Sequence, residues 1–238
     1  MQQQERLQKL ISQAGLASRR EAERWIEQGL VEVNGQKSGL GDKADPGTDR
    51  ILVKGEPLKA AGYKVYLLLN KPVGYVCTLK DPEGRALVTD LIQGIAERLF
   101  PVGRLDLNTE GLILLTNDGE FSQRIIHPRH QLSKTYLVRI KGRLRPQDRL
   151  QLEQGVALED GTTAPARVDK LRFAGQHSWF ELTLREGKNR QVRRMCEALG
   201  YMVSRLKRIR LDFLTLEGVE TGRFRHLTPG EVEKLMRR

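Results

Sequence analysis

The chain has 238 residues, 39% of them hydrophobic, and a formal net charge of +11 with a pI near 9.9. That length holds one large domain and a small one, and the charge suits a polyanionic partner, nucleic acid first and an anionic membrane surface second. No apolar run approaches the ~18 residues of a membrane span, MQQQERLQKL lacks an apolar signal core, and Cys77 and Cys196 form no CxxC pair, so the sequence points to a reduced, cytoplasmic setting.

The N-terminal part reads as two short helices and a hairpin. In ERLQKLISQAG, Leu7, Leu10, Ile11 and Ala14 fall on one helical face, and Gly15 is suited to end the helix. Ser18 with Glu21 three residues later predicts a capping box at the start of a second helix, whose apolar stripe is Ala22, Trp25 and Ile26. Gly29 ends it, and VEVNGQ predicts a hairpin turning at Asn34-Gly35, with further turns around the strand ILV. Arg19 and Arg20 stand at the front of the second helix, either facing a phosphate backbone or simply solvated. Residues 58–64 read as a linker, which divides the chain into 1–60 and 61–238.

The larger part reads as α+β. Strands are expected near 64–69, 73–77, 112–116, 134–141, 166–173, 179–185 and 211–217, and helices over 86–98, 119–126, 146–154 and 189–199. Single helices do not alternate regularly with strands, so the sheet should be mixed and mostly antiparallel.

Three segments hold chemistry. GRLDLNTEG, residues 103–111, lies between two strand-like runs and places Asp106 on a tight polar loop. A carboxylate there is either a catalytic group held on a rigid scaffold or an ordinary Asx-turn residue. In LSKTYLVR, Lys134 and Tyr136 alternate with apolar residues, and the tyrosine is either core or an aromatic platform for a base. In REGKNRQVRRMCEALG, Val192, Met195, Cys196 and Leu199 form a buried helical stripe. Arg194 points almost opposite that stripe and Arg190 nearly so, whereas Arg193 flanks it at about 100° and is best placed to turn into a cleft. Nine Lys/Arg against two Glu between Arg185 and Arg210 make a basic belt suited to a phosphate track. His127 and His130 lack HExxH spacing and no nucleotide-binding glycine loop is present, so neither a metal nor a cofactor is expected. Asp106 and Glu110 are too close together on one loop for a glycosidase pair.

Two resemblances tie these segments together. LQKLISQAGLASRREAERWIEQGLVEVNGQ resembles the S4 RNA-binding domain. GRLD followed by N-T-x-G, K-x-Y at 134–136, Q-V-R at 191–193 and KP-x-G at 71–74 resemble the RNA pseudouridine synthases, specifically the RsuA/RluB branch that modifies ribosomal RNA. The resemblance implies that Asp106 attacks the target uridine, that Tyr136 lies against its base, and that Arg193 pairs with Asp106. It also implies that Leu206 packs against the base, unless it is plain core. Arg19, Arg20, Arg104, Lys134, Lys188, Arg190 and Arg194 become expected RNA contacts, and KP-x-G a structural turn with Lys71 at the cleft. DPEGR at 81–85 and LEDGTTAPA at 158–166 look closer to the large-subunit (23S) members than to the small-subunit (16S) ones. The expected partner is structured ribosomal RNA, free or in a precursor particle, acted on by a monomer without cofactor. A non-catalytic, S4-type ribosome-assembly factor is the alternative from another class.

Overall fold

The computed structural model describes residues 4–59 and 62–238. Its chain starts with β1 (Glu5–Arg6) and then α1 (Leu7–Gln13), which buries Leu7, Leu10 and Ile11 as the stripe requires. In α2 (Arg19–Glu27), Ser18 Oγ accepts from the Glu21 N–H at 3.2 Å. The Glu21 carboxylate turns to Arg24 instead of back to Ser18, so the expected box is half formed. Strands β2 (Val31–Val33) and β3 (Gln36–Lys37) make the hairpin, with Asn34 and Gly35 both at positive φ (53° and 82°), the geometry of a type I′ turn. β4 (Lys43–Ala44) pairs with β1, and β5 (Ile51–Val53) and β6 (Glu56–Pro57) complete a four-stranded sheet in the order β3-β2-β5-β6. The helices and this sheet share one core around Leu7, Ile11, Ala22, Ile26, Val31 and Val53.

Contacts divide the chain into two compact units. One is the chain up to Val65 together with Ile95–Leu99 and Asn117–Gly119; the other is Tyr66–Gly94, Phe100–Thr116 and Glu120–Arg238. The expected boundary at 60/61 falls outside the described residues.

The second unit is built on one sheet. Its elements in order are β7 (Tyr66–Lys71), β8 (Phe100–Val102), β9 (Glu110–Thr116), α3 (Gly119–Ile126), β10 (Lys134–Lys141), α4 (Pro146–Gln154), β11 (Arg167–Ala174), β12 (His177–Leu184), α5 (Gln191–Ala198), β13 (Val203–Leu211), β14 (Leu214–Thr215), β15 (Phe224–His226) and α6 (Pro229–Met236). The strand order is β11-β12-β10-β13-β9-β7-β15, with β14 on β13 and β8 on β9. Every pairing is antiparallel except β13 with β9. At that parallel junction Gly111 sits opposite Arg208, and a Cβ on it would lie 2.1 Å from the Arg208 carbonyl oxygen. The glycine of the NTEG segment is there because two backbones meet. Val138, Phe180 and Leu206 on the sheet close one core with Leu152 of α4 and Met195 of α5. Leu68, Leu112 and Leu114 close a second with Phe121 and Leu235.

Three expected elements differ. Residues 86–98 form no α-helix, only a 3-10 turn at Val88–Leu91, because the Asp90 carboxylate takes the Leu87 N–H at 2.8 Å and Gly94 turns the chain at φ 77°. Residues 73–77 form no strand: Gly74, at φ 86°, turns the chain and donates to the Leu107 carbonyl, and Val76 makes only an isolated bridge. The strand expected at 211–217 lies mostly earlier, as β13, and breaks at Asp212 (φ 50°) before β14. SRLKRIR hides it, since two register shifts against β10 disturb its alternation.

Candidate active site

Asp106 lies between β8 and β9 on a loop closed by the Thr109 N–H, which donates to the Asp106 carbonyl at 3.0 Å. The loop is held from below by Lys71, the last residue of β7. That side chain has no exposed surface, and its Nζ donates to the carbonyls of Pro72 (2.9 Å), Asp106 (3.2 Å), Leu107 (3.4 Å) and Thr109 (2.8 Å). An ammonium has three hydrogens, so one is shared among the four contacts. Burial pushes the Lys71 amine down from its ordinary range, while nearby Cys77, Asp106 and Glu110 push it back up. The Leu105 N–H also reaches Cys77 Sγ at 3.3 Å. Lys71 is therefore an internal clamp rather than the cleft residue the sequence reading expects.

The pocket above this loop gathers groups from five parts of the sheet unit. Arg104, Leu105, Asp106 and Thr109 form one wall; Tyr136 of β10, Leu184 of β12 and Leu206 of β13 form the floor; Glu186, Gly187, Lys188, Arg190, Gln191 and Val192 form the far side. Leu206 is 4% exposed and belongs to the core as well as to the pocket lining. Tyr136 is half-buried and Arg104 and Arg190 are exposed. The arrangement sets a carboxylate beside an aromatic ring and an aliphatic side chain, under a basic lip. A flat, uncharged ring can rest on the floor while its phosphates meet the lip.

The remaining expected residues act on backbone or on other side chains. Arg193 does not line the pocket. It donates from Nη2 to the Asn108 carbonyl at 2.8 Å and from Nη1 to the Val203 carbonyl at 3.2 Å, gripping the Asp106 loop from the α5 side. Among the described residues no ion pair joins it to the Asp106 carboxylate. Burial lowers its pKa, Arg190 adds to that, and Asp106 opposes it. Lys134 does not line the pocket and donates to the Leu132 carbonyl at 3.2 Å; burial, then Arg208, lower its pKa while Glu186 opposes them. Arg194 is engaged by Asp160 at 2.8 and 3.1 Å rather than held free for phosphate. Lys188, at the pocket, also reaches the carbonyls of residues 160–162, between 3.2 and 3.4 Å. Arg19 and Arg20, in the other unit, are exposed on the first turn of α2.

Sequence reasoning missed two supports of this site, Thr109 and Gln191. Thr109 is 2% exposed, and its hydroxyl, buried at the pocket wall, has no hydrogen-bond partner among the described residues. Gln191 accepts from the Lys188 N–H at 3.0 Å and donates to Glu186, which in turn accepts from the Ala164 N–H. Only the polar residue at the head of an apolar helical stripe hinted at Gln191. Both cysteines are buried thiols whose pKa burial pushes up, that of Cys196 to about 12. No group of three His, Cys, Asp or Glu able to hold a metal is assembled among the described residues, and no described helix is long and apolar enough to cross a membrane.

The sequence matches the RNA pseudouridylate synthase family over residues 65–198 and the S4 domain over residues 5–51. It is 48% identical to a Bacillus subtilis protein named ribosomal large subunit pseudouridine synthase B, covering 97% of this chain and 95% of the relative. A protein of the same name from Pseudomonas aeruginosa is 40% identical over 97% of this chain and 61% of its own length. A solved pseudouridylate synthase superposes with a TM-score of 0.68 at 34% identity, covering 97% of this chain and 99% of that one.

Proposed function

The chain belongs to the RNA pseudouridine synthase family and carries an S4 domain; from that premise we propose that it isomerises a uridine of large-subunit (23S) ribosomal RNA, with Asp106 as the nucleophile. The observation that carries the assignment is the clamped loop: Asp106 is presented to a pocket floored by Tyr136 and Leu206, and its backbone is fixed by Lys71. A group preorganised in this way spends little free energy on reorientation during the reaction.

Pseudouridine formation breaks the bond between ribose C1′ and base N1 and makes one between C1′ and C5; C5 loses a proton and N1 gains one. Asp106 attacks the bound nucleotide, the released base turns in the pocket, and it rejoins through carbon. Tyr136 supplies the face on which the base rests and assists proton removal from C5. Arg193 positions the loop through its bond to the Asn108 carbonyl. The target base is flipped out of folded RNA into the pocket. Arg104, Lys188 and Arg190 meet the flanking phosphates, and Arg19 and Arg20 add affinity through the S4 domain. The protein acts as a monomer in the cytoplasm, and the large-subunit target is supported by the names of its relatives from Bacillus subtilis and Pseudomonas aeruginosa.

The test is carbodiimide labelling with primer extension on ribosomal RNA from cells with the wild-type gene, without it, and with Asp106→Asn. One stop in 23S RNA should vanish in both altered strains, while the purified variant binds the RNA within a few-fold of wild type. Persistence of the stop with Asp106→Asn would remove Asp106 from the chemistry; a lost stop in 16S RNA would move the target.

A further inference from the structure

The sheet of the second unit has two faces, and the pocket uses one. Along β12 the even positions Ser178, Phe180, Leu182 and Leu184 are buried, so the odd ones face the other way. On that other face the register sets Arg172 of β11 opposite Trp179 of β12, Trp179 opposite Arg139 of β10, and Arg139 opposite Arg205 of β13. Four neighbouring strands thus carry one cross-strand row, Arg172, Trp179, Arg139 and Arg205. Both guanidiniums beside the indole lie over it, Arg139 at 5.6 Å and Arg172 at 5.5 Å from the ring centroid.

Charge on this face is unbalanced. Its acids are already neutralised, Glu181 by Lys170 at 2.7 Å, Asp169 by Arg167 at 2.7 Å and Glu110 by Arg205 at 2.8 Å. Among the described residues Arg139, Arg172 and Lys141 have no ion pair. Arg139 spends its Nε on Ser204 Oγ at 2.8 Å, and among the described residues no hydrogen bond engages the Arg172 guanidinium. A guanidinium over an indole loses rotamer freedom but keeps its N–H fork, which matches a phosphate bidentately. Such a pair is preorganised, so less entropy is lost on binding a phosphate than for free surface arginines.

We propose that this row is a second RNA-contact surface, on the sheet face opposite the pocket, where Arg139 and Arg172 grip the phosphate backbone of the structured substrate and Trp179 holds them apart. The occupant is RNA because the face offers paired guanidinium forks flanking an aromatic ring with no acid left over. The inference rests on the RNA-modifying reading of the pocket but uses none of its residues.

The experiment compares wild type with Arg139→Gln/Arg172→Gln on a 23S RNA fragment that contains the modified site. The double variant should bind on the order of tenfold more weakly at ~0.15 M salt, and its slope of log K against log salt should fall by roughly two units, about one per lost phosphate contact. The single-turnover rate at saturating enzyme should stay within about twofold. In a Trp25→Phe background Trp179 is the sole tryptophan, and its emission should shift as RNA is added. Unchanged affinity and slope in a double variant that melts like wild type would overturn the proposal. So would a double variant that loses binding to an acidic peptide such as polyglutamate but not to RNA. If the wild-type protein modified no uridine, the reading of the pocket would fail, yet the slope comparison would still decide the second surface.

Discussion

Replacing Lys71 by Met tests whether the loop beneath Asp106 is held by one buried amine. The two short contacts, to Thr109 at 2.8 Å and Pro72 at 2.9 Å, are full hydrogen bonds from a charged donor; those at 3.2 and 3.4 Å are weaker. Bonds to charged groups contribute roughly 1.5–3 kcal/mol each, and the relief of no longer burying an ammonium offsets part of that loss. A net cost of about 2–3 kcal/mol follows, which in a protein of this length lowers Tm by roughly 5–10 °C. The effect on chemistry should be larger in proportion. The carbonyls of residues 106, 107 and 109 lose their common donor, and a displacement of ~1 Å in a catalytic group can cost ~100-fold in rate. RNA affinity, which comes from other residues, should stay within a few-fold. Circular dichroism melts and single-turnover pseudouridine formation at saturating enzyme measure both quantities. A variant whose Tm lies within 2 °C of wild type and whose rate lies within about twofold would refute the clamp.

Other consequences can be checked with the same assays. Gly111→Ala should yield little folded protein, since its Cβ would overlap the Arg208 backbone at φ 106°; a soluble variant with wild-type melting would contradict the close pass of β9 and β13. Arg193→Ala should lower the single-turnover rate on the order of tenfold or more, whereas Arg194→Ala, which frees Asp160 and the Asn189 carbonyl, should leave it within a few-fold; equal losses would mean the wrong arginine has been tied to the loop. Glu110 has its pKa held down first by its hydrogen bond to Arg205, so it binds fewer protons folded than unfolded as pH falls. Its contribution, below ~1 kcal/mol for a partly exposed pair, is present in full above the ordinary carboxylate value near 4.5 and is lost as pH falls through the lower folded value. The Tm gap between wild type and Glu110→Gln should therefore close on acidification, and a gap that widens would reverse the assignment.

What the sequence made legible follows from what each feature depends on. Helices α1, α2 and α5 were readable because an apolar stripe records the face each one buries. The 203–211 strand was not, because register shifts against β10 break the alternation by which a half-buried strand is recognised. The failed helix at 86–98 is a case of local chemistry winning, since one aspartate closing its own turn outweighs a permissive composition. Asp106, Tyr136 and Leu206 were singled out through the family resemblance of GRLD, K-x-Y and SRLKRIR, and their side chains line one pocket. Lys71 and Arg193 are harder for a physical reason. Each holds the Asp106 loop by backbone carbonyls, of Thr109 and of Asn108 in particular, and every residue has a carbonyl. The acceptor side of such a contact leaves no mark in the sequence, so only the donors, a lysine at a strand end and an arginine beside a helical stripe, could be noticed at all. In place of the expected Arg193–Asp106 charge pair the structure has a grip on the loop: an arginine that holds the Asn108 carbonyl fixes the backbone that carries Asp106, which is the part the proposed mechanism asks of it.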